Sequence, residues 1–390
     1  MTQSVYNKSN PFLASIKERY PLSASQVASH QDSRDNKHTM HFVLDLEGSN
    51  ITYRAGDSIA ILPANDEFLV KQTINASRTC GDSLVKDKQG ICYSFEDFLK
   101  NHCNLADVSR KFLSEISLRQ TNPDKKQALE LLLKEEQKQQ CKEYLRTHAV
   151  LDVLQENPEA AMTAQEISSL LMPLLPRFYS IASSMSAVGN EVHLTIAEVI
   201  YEANGRLRHG TCTHYLCNLV PLNTRSVPVY IQPAHAFSLP DDQETAIIMV
   251  GPGTGVAPFR AFMQEREAKN SKGKNWLFFG EKHHHRHFYY KDYWETLVQR
   301  GKMRLETAFS RDQAEKMYVQ HRLIEHGAEV FQWLEEGAHF YVCGDAEKMA
   351  KDVDAALHHI VSRYGQRNEQ QTKEYLRQLK QQKRYLRDVY

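Results

Sequence analysis

The 390-residue chain has no charge of dominant sign: Lys+Arg and Asp+Glu are equal at 48 each. So balanced a chain has no global basic excess for nucleic acid or an acidic membrane surface. It has no apolar run near the ~18 residues needed to cross a bilayer. Its seven cysteines are scattered, odd in number and without a C-x-x-C pair. That argues against a disulfide framework and a cysteine zinc site, and it fits a reducing cytosol. The polar opening Met1-Thr2-Gln3-Ser4-Val5-Tyr6-Asn7-Lys8 does not resemble a secretory leader. Internal repeats and low-complexity linkers are absent as well. The expected location is cytoplasmic, with no nucleic-acid or membrane partner.

What is present describes a globular protein. Hydrophobic residues make up 41% and charged residues 25%, and the length suits roughly two or three domains of ~150 residues. Strand-like segments run to about Ala64, including Met40–Leu46. From about Asp66 to Leu175 the pattern is helical. Asn122-Pro123-Asp124 is a start signal, and Leu129, Leu132, Leu133, Cys141, Tyr144 and Leu145 mark one amphipathic helix over Lys125–Arg146. Strand character returns from Arg177 to about Ile231, with alternation over Val192–Ala197. After Pro240, strands at Ala246–Val250, Trp276–Phe279, Met303–Phe309 and His339–Cys343 alternate with helices, which predicts a parallel α/β sheet. The charged tail Gln366–Arg387 reads as a solvated helix with Tyr375, Leu376 and Leu379 facing the body.

The sharpest motif is Gly251-Pro252-Gly253-Thr254-Gly255-Val256-Ala257-Pro258, directly after the apolar run Thr245–Val250. A buried strand entering a glycine-rich turn and then a helix is a phosphate-binding device. Glycine lets the backbone approach a pyrophosphate, and the helix start offers unpaired N–H groups and a favourable dipole. Pro258 suits the first turn. Alone, the same string also describes an ordinary tight turn. A second motif is Arg177-Phe178-Tyr179-Ser180-Ile181-Ala182-Ser183-Ser184. There an arginine can neutralise a diphosphate, and the aromatic two residues on can cover a flat ring. As a plain strand, its Arg and Tyr would simply face solvent. A third is Gly210-Thr211-Cys212-Thr213-His214, a small-residue helix start that is either an anion cradle or only an N-capped helix.

These strings occur in fixed order with W-L-F-F-G, S-R-D-Q-x-x-K-x-Y-V-Q, Y-V-C-G-D and a terminal R-Y-L-R-D-V-Y. Together they resemble the ferredoxin–NADP reductase-like half of the diflavin reductases, nearest the sulfite reductase flavoprotein branch. The resemblance covers nearly the whole chain. It implies an FAD-binding antiparallel barrel (residues 1–65 and 170–240), a helical connecting insert (66–169) and a parallel-sheet NADP-binding α/β domain (241–390). By motif match, Arg177, Phe178, Tyr179 and Ser180 would hold FAD. So would Thr195, Ile196 and Ala197, Tyr201, and the cradle Gly210, Thr211, Cys212 and Thr213. Serine is commoner in the family where Thr213 stands, a change that keeps the hydroxyl; His209 and Cys212 are less usual neighbours. Gly253 and Thr254 would meet the nicotinamide dinucleotide, and Asp352 matches another position that touches it.

Ser310, Arg311, Lys316, Tyr318 and Gln320 favour NADPH over NADH, because a 2′-phosphate needs fixed cations and hydroxyl donors. The acidic residue that would favour a bare ribose is not evident after Met303–Phe309. The resemblance sets Cys343 beside the nicotinamide, with Ser180 and Asp388 completing a group that assists hydride transfer. It stacks Tyr390 on the flavin ring as a gate. His283-His284-His285 with His287 has no carboxylate or cysteine at ligand spacing, so no metal is expected.

Full-length members of the family open with a flavodoxin-like domain carrying FMN, and this sequence opens where the reductase half begins. Met1 at that point fits a chain made in this form, and a piece of a longer chain fits equally. The expected activity is electron transfer from NADPH through FAD to a separate acceptor, either the haem-bearing sulfite reductase subunit or a flavodoxin. The alternatives are a free-standing NADPH–flavodoxin or quinone reductase, and a non-catalytic interaction subunit that keeps the fold.

Overall fold

The computed structural model describes residues 5–23, 37–234 and 236–390. The first four residues of the polar opening lie outside the described residues. The chain divides into two compact units.

The first unit comprises Met1–Ala60, Phe178–Ala197 and Leu222–Tyr390, and two sheets dominate it. One is six-stranded: β1 (Phe12–Pro21), β2 (Thr39–Asp45), β3 (Ser58–Ile61), β4 (Arg177–Ser180), β5 (Glu191–Ala197) and β6 (Val227–Gln232), in the order β4-β3-β6-β1-β2-β5. The pairs β1–β6, β1–β2 and β2–β5 are antiparallel. Just past β4, Ile181 bridges Leu194 of β5, and the Ala182 amide donates to the His193 carbonyl at 2.7 Å. That link joins the two ends of the sheet and closes it into a barrel. Strand β6 shows why one face points inward: Val227, Val229 and Ile231 are buried, while Pro228, Tyr230 and Gln232 between them are more open.

The other sheet is five-stranded and parallel: β7 (Ile247–Val250), β8 (Asn275–Glu281), β9 (Arg304–Phe309), β10 (His339–Gly344) and β11 (Tyr385–Val389), in the order β9-β8-β7-β10-β11. Its central strands are buried almost throughout, as expected when helices cover both faces. Met249, Leu277, Phe279 and Tyr341 pack on one side with Phe259 and Trp294. Ile248, Trp276, Phe278 and Phe340 pack on the other with Leu323, Leu334 and Leu357. The chain order reverses between β7 and β10, and a ligand crevice forms at such a switch point, beyond the strands' carboxyl ends.

A polar seam locks the barrel to the parallel sheet. Tyr290 takes a left-handed backbone conformation, φ 59°, at the start of the helix Lys291–Gln299. For a bulky residue that geometry is strained by roughly 1–2 kcal/mol, and its effect is to aim the phenol at the barrel strands β2 and β5. The hydroxyl meets His41 Nδ1 at 2.9 Å and Thr195 Oγ1 at 2.6 Å. Arg260 lies over the same ring, 4.9 Å from its centroid, and donates to the Ala182 carbonyl at 2.6 Å. Burial, then the charge of Arg260, pulls the His41 pKa down to about 2, so the ring is neutral and can accept from Tyr290.

The second unit comprises Ile61–Arg177 and Glu198–Pro221. It is mainly helical around Phe95, Phe112, Leu113, Ile116, Val150 and Val153, with two small hairpins, Leu84–Lys86 with Cys92–Ser94 and Ile200–Ala203 with Arg206–His209. The single amphipathic helix expected over Lys125–Arg146 is instead two, Pro123–Leu132 and Lys138–Thr147. Asn122 caps the first as its sequence suggests. At the break the backbone tightens, Lys134 bonding back to Leu131 at 3.2 Å before a short 3₁₀ turn Glu135–Gln137, and Arg110 Nη2 takes the Leu133 carbonyl and meets Glu135 at 3.3 Å. The charged tail forms the expected helix over Glu369–Gln381, with Leu376 and Leu379 buried, and departs from expectation only beyond it, where the chain joins the parallel sheet as β11. Among the described residues, no helix is long and apolar enough to cross a membrane.

Replacing Tyr290 by Phe should lower unfolding stability by about 1–3 kcal/mol, because it removes the hydroxyl that serves both His41 and Thr195. Denaturant unfolding measures it; an unchanged midpoint and slope would show that the seam does not hold the two sheets together.

Candidate functional site

The site of the first unit lies at the carboxyl ends of β7 and β10. After Val250 the chain turns through Gly253–Val256 into the helix Ala257–Ala268, with Pro258 in its first turn. The glycines have different reasons. A Cβ on Gly255 would fall 2.1 Å from the Cys343 carbonyl oxygen, so only glycine lets the turn rest against β10. Gly253 has φ 59°, the left-handed region that favours glycine. A Cβ there would be 3.0 Å from Lys37 Nζ, so a cation flanks the turn. Lys37 pairs with Glu281 at the end of β8. Burial opposes the Glu281 charge, but Lys37 and the Lys282 amide outweigh it and hold the carboxyl below its usual range. No motif in the sequence pointed to this pair, whose members lie 244 residues apart.

Three expected residues meet beside this turn. Parallel pairing sets Cys343 of β10 opposite Asp388 of β11. Ser180, from the barrel, donates its hydroxyl to Asp388 Oδ2 at 2.8 Å, and the Cys343 thiol approaches the same oxygen at 3.9 Å. Burial first, then the Asp388 charge, pushes the thiol pKa well up, so Cys343 stays protonated at neutral pH. The arrangement offers a hydroxyl, a neutral thiol and a carboxylate within one small volume.

Tyr390 adjoins the cluster. Its amide donates to the Gly344 carbonyl at 3.1 Å, and its hydroxyl meets Thr254 Oγ1 at 2.9 Å. Otherwise its residue is 65% exposed. Phe178 is likewise 53% exposed, touching Tyr230 edge-on at 6.4 Å. Two bare aromatic side chains fit the covering of a flat ring. Tyr179 and Ser180 are partly buried in β4. Thr195 and Ile196 are buried in β5, with the Thr195 hydroxyl engaged by Tyr290, and Ala197 is partly buried at the strand end.

Further along the parallel sheet, the Ser310 and Arg311 amides donate to the carbonyls of Glu281 and Lys282, both at 2.9 Å. These bonds fix the loop after β9. Arg311, Lys316 and Tyr318 are exposed there. Gln320 donates to Asp352 Oδ2 at 3.3 Å, so two residues expected at the dinucleotide are joined. The His283–His287 turn is anchored through Asp312, which accepts from the His284 amide at 2.7 Å and lies 2.9 Å from His283 Nδ1.

In the second unit, Gly210 precedes the short helix Thr211–His214. A Cβ on Gly210 would fall 2.8 Å from the Val199 side chain. The Thr213 hydroxyl donates to the Gly210 carbonyl at 3.1 Å and accepts from the Val199 amide at 3.2 Å, which shapes the turn. Cys212 and Thr213 are buried, and Thr211 is partly so. A cavity of about 210 Å³ opens beside the turn, lined by Tyr201, Arg206, Arg208, His209, Thr211 and His214 among others. Arg177 is exposed and bonds to the Leu175 carbonyl at 3.3 Å. Tyr201 is 40% exposed.

The FAD binding domain family matches residues 6–215, more than half of the chain, and the oxidoreductase NAD-binding domain family matches residues 249–355. The chain is 41% identical over its full length to the sulfite reductase [NADPH] flavoprotein alpha-component of Bacillus subtilis (strain 168), covering 62% of that protein. It is 40% identical to the protein of that name from Vibrio cholerae serotype O1 (strain El Tor Inaba N16961), covering 61% of it. A Mannheimia succiniciproducens protein of the same name is 38% identical over 99% of this chain. The chain thus spans about 62% of the length of these relatives. A barrel joined to a parallel α/β sheet, with a glycine turn at the sheet's switch point, is what those two matches require: the chain belongs to the FAD binding domain family, joined to an oxidoreductase NAD-binding domain.

Proposed function

We propose that the chain is an NADPH-dependent FAD flavoprotein reductase that passes electrons to an external acceptor. The observation that carries the reading is the meeting of Ser180, Cys343 and Asp388 beside the glycine turn. FAD, when bound, accepts a hydride with both its electrons from the nicotinamide and releases electrons onward. The protein's part is to place and polarise. Residues 1–65 and 170–240 serve as the FAD domain, 66–169 as the connecting insert and 241–390 as the NADP domain.

Tyr179 and Ser180, with Phe178, hold the flavin ring, and Thr195, Ile196 and Ala197 offer it backbone groups. In the second unit, Arg177, Tyr201 and the turn Gly210, Thr211, Cys212 and Thr213 are the further candidates for holding FAD. Gly253 and Thr254 receive the NADPH diphosphate. Ser310, Arg311, Lys316, Tyr318 and Gln320 receive the 2′-phosphate, and Asp352, through Gln320, orders the same edge. Cys343, kept protonated by burial, presents a thiol rather than an anion to the nicotinamide. Asp388 orients it together with the Ser180 hydroxyl. Tyr390, with its ring exposed, would cover the flavin and serve as its gate.

The relatives are named as components of a sulfite reductase, which supports a separate acceptor: a haem-bearing sulfite reductase subunit, or a flavodoxin. A cytoplasmic location accords with free cysteines among the described residues.

The direct test is anaerobic. Protein reconstituted with FAD should retain it through desalting and lose its yellow colour on adding NADPH. Protein that holds no flavin, or whose bound flavin stays oxidised, would overturn the reading. Changing Arg311 and Lys316 together to Ala should weaken NADPH binding by about two orders of magnitude, through loss of charge-assisted bonds, with NADH changed by less than about threefold. Equal losses for both would place the 2′-phosphate elsewhere. Removing Tyr390 should raise kcat/KM for NADH by about tenfold or more, since no ring then has to be displaced. An unchanged preference in steady-state assays would rule out the gate.

A further inference from the structure

Glu198, His209 and His214 converge within the second unit, where neither the activity nor the relatives' names assign a role. One ligand atom from each lies within 4.8 Å of the other two. His209 ends the hairpin strand Arg206–His209, and His214 ends the helix Thr211–His214. The two histidines therefore flank the turn Gly210–Thr213 on either side. Their rings lie 4.6 Å apart, inclined by 33°. His209 Nδ1 is buried with no hydrogen-bond partner, an unmet group of the kind that native interiors rarely leave.

A second layer orients the others. The Asn218 side-chain amide bonds to Glu198 Oε1 at 2.9 Å and lies 3.1 Å from His214 Nδ1. Asp66 Oδ2 lies 3.8 Å from His214 Nε2. An imidazole that ligates an ion through one nitrogen keeps the other for an outer partner, so one of these two contacts remains to orient His214.

We propose that Glu198, His209 and His214 bind a divalent zinc ion. Two imidazoles and one carboxylate suit a borderline-soft ion; calcium and magnesium prefer oxygen sets. Zinc–nitrogen bonds of about 2.0–2.1 Å bring tetrahedral ligands to roughly 3.4 Å from one another, so the three side chains close inward by about 1 Å on binding. Three protein ligands leave a fourth position open toward the adjoining cavity, which His209, His214 and Asp66 help to line. With water in the fourth position the ion acts as a tie rather than a reaction centre. It ties both flanks of the Gly210–Thr213 turn to Glu198 and stiffens a loop that is otherwise fixed by the Thr213 hydroxyl. This goes beyond the proposed reductase activity and needs no electron transfer.

The test uses the full chain loaded with FAD, treated with chelator, freed of it, and titrated calorimetrically with zinc sulfate. The chain has 18 histidines, so the tight phase is what counts. One equivalent should bind tightly and raise the unfolding temperature; magnesium should do neither. His209→Ala and Glu198→Gln should each weaken the tight phase at least tenfold and abolish the thermal shift. A double change of His283 and His285 to Ala should leave both intact. Circular dichroism confirms that each variant is folded. If His209→Ala does not fold, Glu198→Gln and Asn218→Ala decide: weakened binding supports the site, and unchanged affinity overturns it. Absence of a tight equivalent, or its loss only in the His283 and His285 variant, also overturns it.

Discussion

The site of the first unit depends on how firmly a barrel is held to a parallel sheet. Ser180 and Asp388 are 208 residues apart, one on a barrel strand and the other on the sheet's edge strand, yet they share a hydrogen bond. Such a bond survives only if the two sheets keep a fixed separation. Tyr290, Arg260, His41 and Thr195 supply that constraint from largely buried ground. The strain in Tyr290 fits the same view. A left-handed backbone at a bulky residue persists where its surroundings over-determine it, and here two hydroxyl contacts and a stacked guanidinium do so. His41 must be neutral to accept from the phenol, and burial keeps it so.

Within the parallel sheet, distance is set by close packing rather than by polar bonds. Gly255 sits so near the Cys343 carbonyl that any side chain would displace one of them. The register of β10 against β11 then puts Asp388 opposite Cys343 without further help. One backbone-to-backbone contact and one strand pairing thus assemble a turn, a thiol and a carboxylate. The thiol stays uncharged there, because an ionised sulfur beside Asp388 would add a second negative charge in a buried place.

The parallel sheet was legible because its strands are short, apolar and buried on both faces, so composition alone marks them. The glycine turn was legible because local chemistry demands glycine. The helical insert was legible in kind but not in detail. At the break after Leu132 the freed Leu133 carbonyl is taken by Arg110, a residue on another helix, and periodicity within Lys125–Arg146 carries no trace of that contact. The strand at the tail was hidden for a similar reason: the pairing of Tyr385–Val389 with β10 is a tertiary event on a charged background. The family resemblance grouped Ser180, Cys343 and Asp388, and the fold supplies the contacts that join them. Lys37 and Glu281 carry no motif at all. Among the histidines, the sequence drew the eye to the run His283–His285, whereas the group with metal-like spacing joins residues from separate turns and strands.

The Tyr390–Thr254 contact bears on how an aromatic gate would work. An exposed hydroxyl pair of this kind contributes about 0.5–1.5 kcal/mol net. A ring held by that bond alone would open in about 7–30% of molecules, because about 1.4 kcal/mol corresponds to a tenfold ratio. The backbone bonds of Tyr390 to Gly344 and Ala346 stay in place while the ring moves, so the motion is confined to side-chain torsions. Thr254 lies in the glycine turn itself. A dinucleotide that engages the Thr254 hydroxyl therefore competes with Tyr390 for one partner, and its arrival weakens the bond that keeps the ring closed. Occupancy of the turn and opening of the ring are then linked through a single hydroxyl, with a coupling no larger than that bond is worth.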